Sequence, residues 1–97
     1  MRMMVLLATL LVPAAADTLE ALAREVSGVQ PFERNALDAH VKAWAERSAL
    51  QLKDVAQPAR VALTGRSASP GLFEVMEVLG KERTLERLAR GALRARG

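Results

Sequence analysis

The chain contains no cysteine and no tyrosine, and its aromatic residues are only Phe32, Trp44 and Phe73. The absence of cysteine excludes disulfides, thiolate metal sites and thiol nucleophiles. The lone histidine, His40, cannot build a histidine-rich metal site. There is no glycine-rich phosphate loop, no Gly-x-Ser-x-Gly elbow and no His-Glu-x-x-His pair. Nothing therefore assembles a nucleophile, a base and an oxyanion site, and no catalytic residue and no metal site are expected. No segment alternates polar and apolar residues with period two over a useful length, which argues against strands. No internal repeat is present. At 97 residues the chain is one domain or a part of a larger one.

What is abundant is alanine, leucine, arginine and glutamate, a composition that favours helices. The net charge is +3. Residues 1–50 carry five Lys/Arg and six Asp/Glu, whereas residues 51–97 carry nine and five. The second half is thus the basic one, and it ends in Lys81, Arg83, Arg87, Arg90, Arg94 and Arg96. Such an excess attracts a polyanion. It equally suits a solvated helix whose last turn complements the macrodipole. Residues 1–16 read MRMMVLLATLLVPAAA. A basic start, an apolar run and three small residues fit a secretory leader, and the run is too short to span a bilayer as a helix. The same run fits a remnant helix of a larger domain. Residues 1–17 are accordingly set apart as an apolar leader or remnant helix, and residues 18–97 as the helical domain.

The pattern from Asp17 to Ser27 is helical, with Leu19, Leu22, Ala23 and Val26 inward and Asp17 or Thr18 as N-cap. Gly28-Val29-Gln30-Pro31 breaks it. A longer helix runs from Phe32 or Glu33 to about Leu50, with Leu37, Val41, Trp44 and Ala45 on one face and Asp38–Lys42 as an i,i+4 pair. Gln51 to Ala56 reads as a connector. Pro58 suits the first turn of a short helix ending at Gly65. Ser69-Pro70 is a helix start with Ser69 as N-cap, followed by the stripe Leu72, Phe73, Met76 and Leu79. Gly80 is placed to end that helix in a left-handed conformation. Lys81 to about Arg94 forms the last helix, with Leu85, Leu88, Ala89 and Ala92 inward. The expected fold is all-α, a small bundle of about four to five short helices.

The segment Val55 to Leu88, VAQPARVALTGRSASPGLFEVMEVLGKERTLERL, closely resembles the C-terminal signature of bacterial glutamyl-tRNA synthetases, a family of class I aminoacyl-tRNA synthetases. The likeness rests on Gln57-Pro58, Arg60, Ala62-Leu63-Thr64-Gly65, Ser69-Pro70-Gly71-Leu72-Phe73-Glu74 and Leu79-Gly80-Lys81-Glu82-Arg83. Residues 35–51, NALDAHVKAWAERSALQ, resemble the preceding family helix and its exit, which in the family looks like "ae..glkl". The resemblance covers roughly residues 18–95. Ala59 departs from it, since the family usually has leucine there.

The resemblance implies the helical cage that holds a tRNA anticodon, and a cytoplasmic place of work. It does not bring the activity with it. The family joins glutamate to tRNA using ATP and Mg2+, through a His-x-Gly-His-type motif and a Lys-x-Ser-Lys-type loop, and this sequence contains neither. No cofactor is therefore expected in this chain. Its expected partners are the anticodon loop of tRNA(Glu) and the missing catalytic portion of the synthetase, with no stable membrane span. In the family the arginine of the R-x-A-L-T-G stretch and the residues around S/T-P-x-L-F lie against the anticodon bases. The positions that match are Arg60, Ser69, Pro70, Leu72 and Phe73, with Thr64 closing the first stretch.

Splayed anticodon bases are read by stacking and by hydrogen bonds to their edges. Arg60 can do both with one planar guanidinium; its structural alternative is a salt bridge to Asp54 or Glu74. Ser69 offers a hydroxyl at a helix N-terminus, where free N–H groups favour a phosphate or a base carbonyl, besides capping the helix. Pro70 allows close backbone approach. Leu72 and Phe73 are base walls or core residues. Arg66 and Lys81 are candidate phosphate contacts, which supply affinity without sequence information. Two other readings compete: a structural fragment without useful tRNA affinity, and a small exported helical protein whose leader is cleaved near Asp17.

Overall fold

The computed structural model describes residues 15–66 and 71–96. These form four helices, α1 (Ala15–Ser27), α2 (Arg34–Arg47), α3 (Leu52–Thr64) and α4 (Leu72–Arg96), with no strand among the described residues. The apolar run of residues 3–12 and the Ser69-Pro70 helix start lie outside the described residues.

The stripes foreseen for α1 and α2 are the buried ones, except that Ala23 of α1 is only partly buried. Leu19, Leu22 and Val26 of α1 and Leu37, Val41, Trp44 and Ala45 of α2 face the core. α1 starts at Ala15, not Asp17, so neither Asp17 nor Thr18 is its N-cap. The helix extends backwards because Ala16 is fully buried. Asp17 lies instead in the first turn, where its charge opposes the positive end of the dipole. Lys42 pairs with Asp38 at 3.0 Å, as the spacing requires.

α3 departs most from the sequence reading. It begins at Leu52, so residues 52–56 are helix rather than connector, and Pro58 sits inside the helix. An interior proline removes one backbone bond and crowds the carbonyl four residues earlier. That carbonyl belongs to Asp54, an exposed residue, and water can satisfy it. Helix formation ahead of Pro58 is driven by Val55 and Ala56, both of which are buried in the core. Burying such side chains is worth about 1–3 kcal/mol each, and a solvated connector would forgo that burial.

α4 is bent at Gly80, with φ 84° and ψ 164°. The positive φ matches the expectation, but ψ places the residue in an extended region open essentially to glycine alone. The backbone therefore kinks and resumes helix, where a left-handed cap would have stopped it. Thr84, fully buried, donates its hydroxyl to the Met76 carbonyl across this kink at 3.3 Å. Ala89, expected inward, is exposed; Leu88 and Ala92 carry the inner face.

α4 is the spine of the fold, since α1, α2 and α3 all pack against it. The first turn of α1 meets the last turn of α4, where Arg96 pairs with Glu20 and lies 3.9 Å from Asp17. α1 therefore runs antiparallel to the second half of α4. α2 meets the first half: Arg34 pairs with Glu74 at 3.1 Å, and its backbone N–H donates to Glu77 at 3.1 Å. Glu77 thereby supplies the acceptor that the α2 N-cap, Glu33, does not provide through its own side chain.

Candidate nucleic-acid interface

Three of the residues singled out from the sequence, Arg60, Thr64 and Arg66, lie together at the end of α3. Arg60 lies on this helix, half-buried, one turn before its C-terminus. Its Nε is buried and has no hydrogen-bond partner among the described residues. Neither carboxylate suggested for it is engaged: Glu74 is held by Arg34, and no ion pair joins Arg60 to Asp54 among the described residues. An arginine with a desolvated, unpaired donor is costly unless something else satisfies it.

Thr64 builds the turn that follows. Its hydroxyl donates to the Arg60 carbonyl at 2.8 Å and accepts from the Arg66 backbone N–H at 3.1 Å. Gly65, at φ 77° and ψ 6°, caps α3 in the left-handed conformation, and its N–H donates to the Val61 carbonyl at 2.8 Å. Arg66 leaves this turn exposed. Arg60, Thr64 and Arg66 thus share one rigid corner.

Ser69 and Pro70 fall outside the described residues. Leu72 is only 4% exposed and packs in the core, which leaves little of its surface for a base. Phe73 is half-buried against the same core. Lys81 is exposed just beyond the kink, in a separate shallow cleft bounded by residues 79–85.

The structure adds basic residues to the corner that the sequence reading left as a helix surface. Arg87 of α4 donates to the Leu63 carbonyl at 2.7 Å, so a guanidinium caps the end of α3. Arg90 and Arg94 follow on the same face. Together with Arg87, Thr64 and Gly65 they line a groove of about 270 Å³. Arg90 is paired with Glu86 at 3.0 Å; Arg94 has no carboxylate partner among the described residues. The i, i+3, i+7 spacing of these arginines is visible in the sequence, but only the docking of α4 beside the α3 C-terminus makes it part of the corner. Chemically the corner offers planar donors and positive charge.

Comparison with known proteins agrees with this chemistry. The model of the anticodon binding domain family matches residues 6–92. The chain is 43% identical over 81 residues to a glutamate–tRNA ligase of Bradyrhizobium sp. (strain ORS 278), covering 84% of this chain and 17% of that protein. It is 48% identical over 81 residues to glutamate–tRNA ligase 2 of Rhodospirillum centenum, with the same coverage. Over 61 residues, 63% of this chain and 13% of the relative, it is 51% identical to a glutamate–tRNA ligase of Rhodopseudomonas palustris (strain HaA2). The chain spans about a sixth of the length of the curated relatives it matches. With an all-α fold, a basic corner around Arg60 and a family match over most of its length, the chain belongs to the anticodon binding domain family.

Proposed function

We propose that this chain is the anticodon-reading part of a glutamate–tRNA ligase. It holds the anticodon loop of tRNA(Glu) and so positions the tRNA for aminoacylation by a catalytic portion that this sequence does not contain. The observation that carries the reading is Arg60. It stands at the position matching the family's reading arginine, half-buried, with a donor that no described residue uses. A base edge or phosphate arriving at the corner would satisfy that donor. Arg66 and the Arg87–Arg94 face add charge for the phosphates, and Ser69 and Pro70 stand next along the chain. ATP and Mg2+ belong to the catalytic portion, and the place of work is the cytoplasm. Among the described residues no helix is long and apolar enough to cross a membrane.

The test is a titration of the chain with labelled tRNA(Glu), an anticodon-substituted tRNA(Glu) and an unrelated tRNA at two salt concentrations. Preference for the native anticodon is expected. Arg60→Ala is expected to weaken it by about 1–3 kcal/mol. Equal binding of all three tRNAs that collapses with salt is the signature of phosphate contacts alone. That result overturns anticodon reading for the isolated chain and leaves it a structural fragment.

A further inference from the structure

The corner stands at the wrong end of a helix for a polyanion. Arg60, Thr64 and Arg66 lie at the C-terminus of α3. There the helix dipole leaves about half a negative charge, and the last carbonyls have no partner within the helix. Anions favour the opposite, N-terminal end. α3 carries no basic residue in its own last turn to offset this. A phosphate brought to Arg66, or to the groove along α4, would meet carbonyl oxygens of like sign unless another part of the chain covered them.

α4 supplies that cover. The Arg87 guanidinium, 24 residues further along the chain, donates to the Leu63 carbonyl at 2.7 Å, the short distance of a charged donor. The Gly65 N–H donates to the Val61 carbonyl and the Thr64 hydroxyl to the Arg60 carbonyl, each at 2.8 Å. Of these three donors only Arg87 brings a whole positive charge to the helix end. That charge is not cancelled by a carboxylate among the described residues, whereas Arg90 on the same face is tied to Glu86. Arg87 lines the basic groove together with Leu63, Thr64 and Gly65, so the charge stands where the α3 carbonyls would otherwise face the RNA.

We propose that Arg87 is a positioning residue for RNA binding at this corner. Fixed on the Leu63 carbonyl, it neutralises the negative end of α3 and lets a polyanion approach, while touching no phosphate itself. The proposal rests on the reading of the corner as an RNA site, but not on which base is read there. Its test compares the full chain with Arg87→Gln and Arg87→Lys. Each is titrated by anisotropy with tRNA(Glu), the anticodon-substituted tRNA(Glu) and an unrelated tRNA at several salt concentrations, and melted in parallel. Arg87→Gln removes the charge and should weaken binding of all three tRNAs alike by about two- to fivefold, the effect of a charge at a helix end. The preference among the tRNAs and the slope of log affinity against log salt should both stay as in the unmodified chain. Arg87→Lys keeps a charge and a donor and should restore the affinity. A slope reduced by about 0.7–0.9, the mark of one lost phosphate contact, overturns the proposal. So does an unchanged affinity in Arg87→Gln, a failure of lysine to restore it, or a loss limited to the native anticodon. Affinities that follow the Tm of the variants instead of their charge make the Leu63 bond merely structural and overturn it as well. Equal binding of all three tRNAs by the unmodified chain sinks anticodon reading alone, and the Arg87 variants then still decide this proposal. A chain that binds no tRNA sinks both.

Discussion

At the residue scale, the fold decides which polar groups are spent and which are left free. Arg34, Arg87 and Arg96 are all engaged within the protein, on Glu74, the Leu63 carbonyl and Glu20 respectively. Arg60 keeps a buried Nε that has no partner among the described residues. Its planar fork, more than its charge, is the feature suited to a base. Arg60→Lys should therefore abolish discrimination between native and substituted anticodons while leaving the salt dependence of binding nearly unchanged, as measured by anisotropy titration at several salt concentrations. Thr84 has the opposite role. Its hydroxyl serves the Met76 carbonyl at the kink, and valine has the same shape without the donor. Thr84→Val should lower stability by about 1–2 kcal/mol in urea unfolding, because a buried carbonyl loses its partner. Nothing in the sequence marks Thr84 as buried: it sits among charged residues in KERTLER, and only the kink turns it inward.

At the element scale, helix ends were more legible than helix starts. α2 ends in a Schellman turn: the Leu50 N–H donates to the Ala45 carbonyl at 2.8 Å and the Ala49 N–H to the Glu46 carbonyl at 3.2 Å. Ala49 adopts φ 56° there, a left-handed conformation that disfavours any residue with a Cβ. The family pattern has glycine at this position. Ala49→Gly should raise stability by about 0.5–1 kcal/mol, readable as a higher Tm in thermal melts. Starts are harder to read because burial moves them. α1 reaches back to bury Ala16, and α3 forms ahead of its proline to bury Val55 and Ala56. Each case sets a local capping or proline preference against apolar area that only the neighbouring helices can cover.

At the scale of the whole molecule, α4 organises everything else, and it crosses α3 tightly at Gly91. A Cβ built on Gly91 would lie 2.6 Å from the Ala62 Cβ and 3.2 Å from Leu19 Cδ1. The Ala62 methyl cannot turn aside, so α3 would have to shift, while the end of the Leu19 side chain need only yield slightly. Gly91→Ala should cost about 1–3 kcal/mol despite alanine's better helix propensity, measured by chemical unfolding. The same shift would displace the α3 C-terminus from Arg87, so the variant should also weaken tRNA binding for the native and the substituted anticodon alike.

By itself the sequence determined the all-α class, the inward stripes of α1 and α2, the turn at Gly65, the break in helical geometry at Gly80 and the likeness to an anticodon-binding domain. These depend on periodicity, on backbone conformations few residues tolerate and on ordered residue types, all of which are properties of neighbours along the chain. Only the tertiary structure decided that α3 begins before Pro58, that Leu72 belongs to the core, that Arg87, Arg90 and Arg94 join the Arg60 corner, and that Gly91 must be small. Each of those outcomes depends on the distance between groups far apart in sequence. That distance is fixed by how the helices share the apolar surface they bury together, and no single segment carries that information alone.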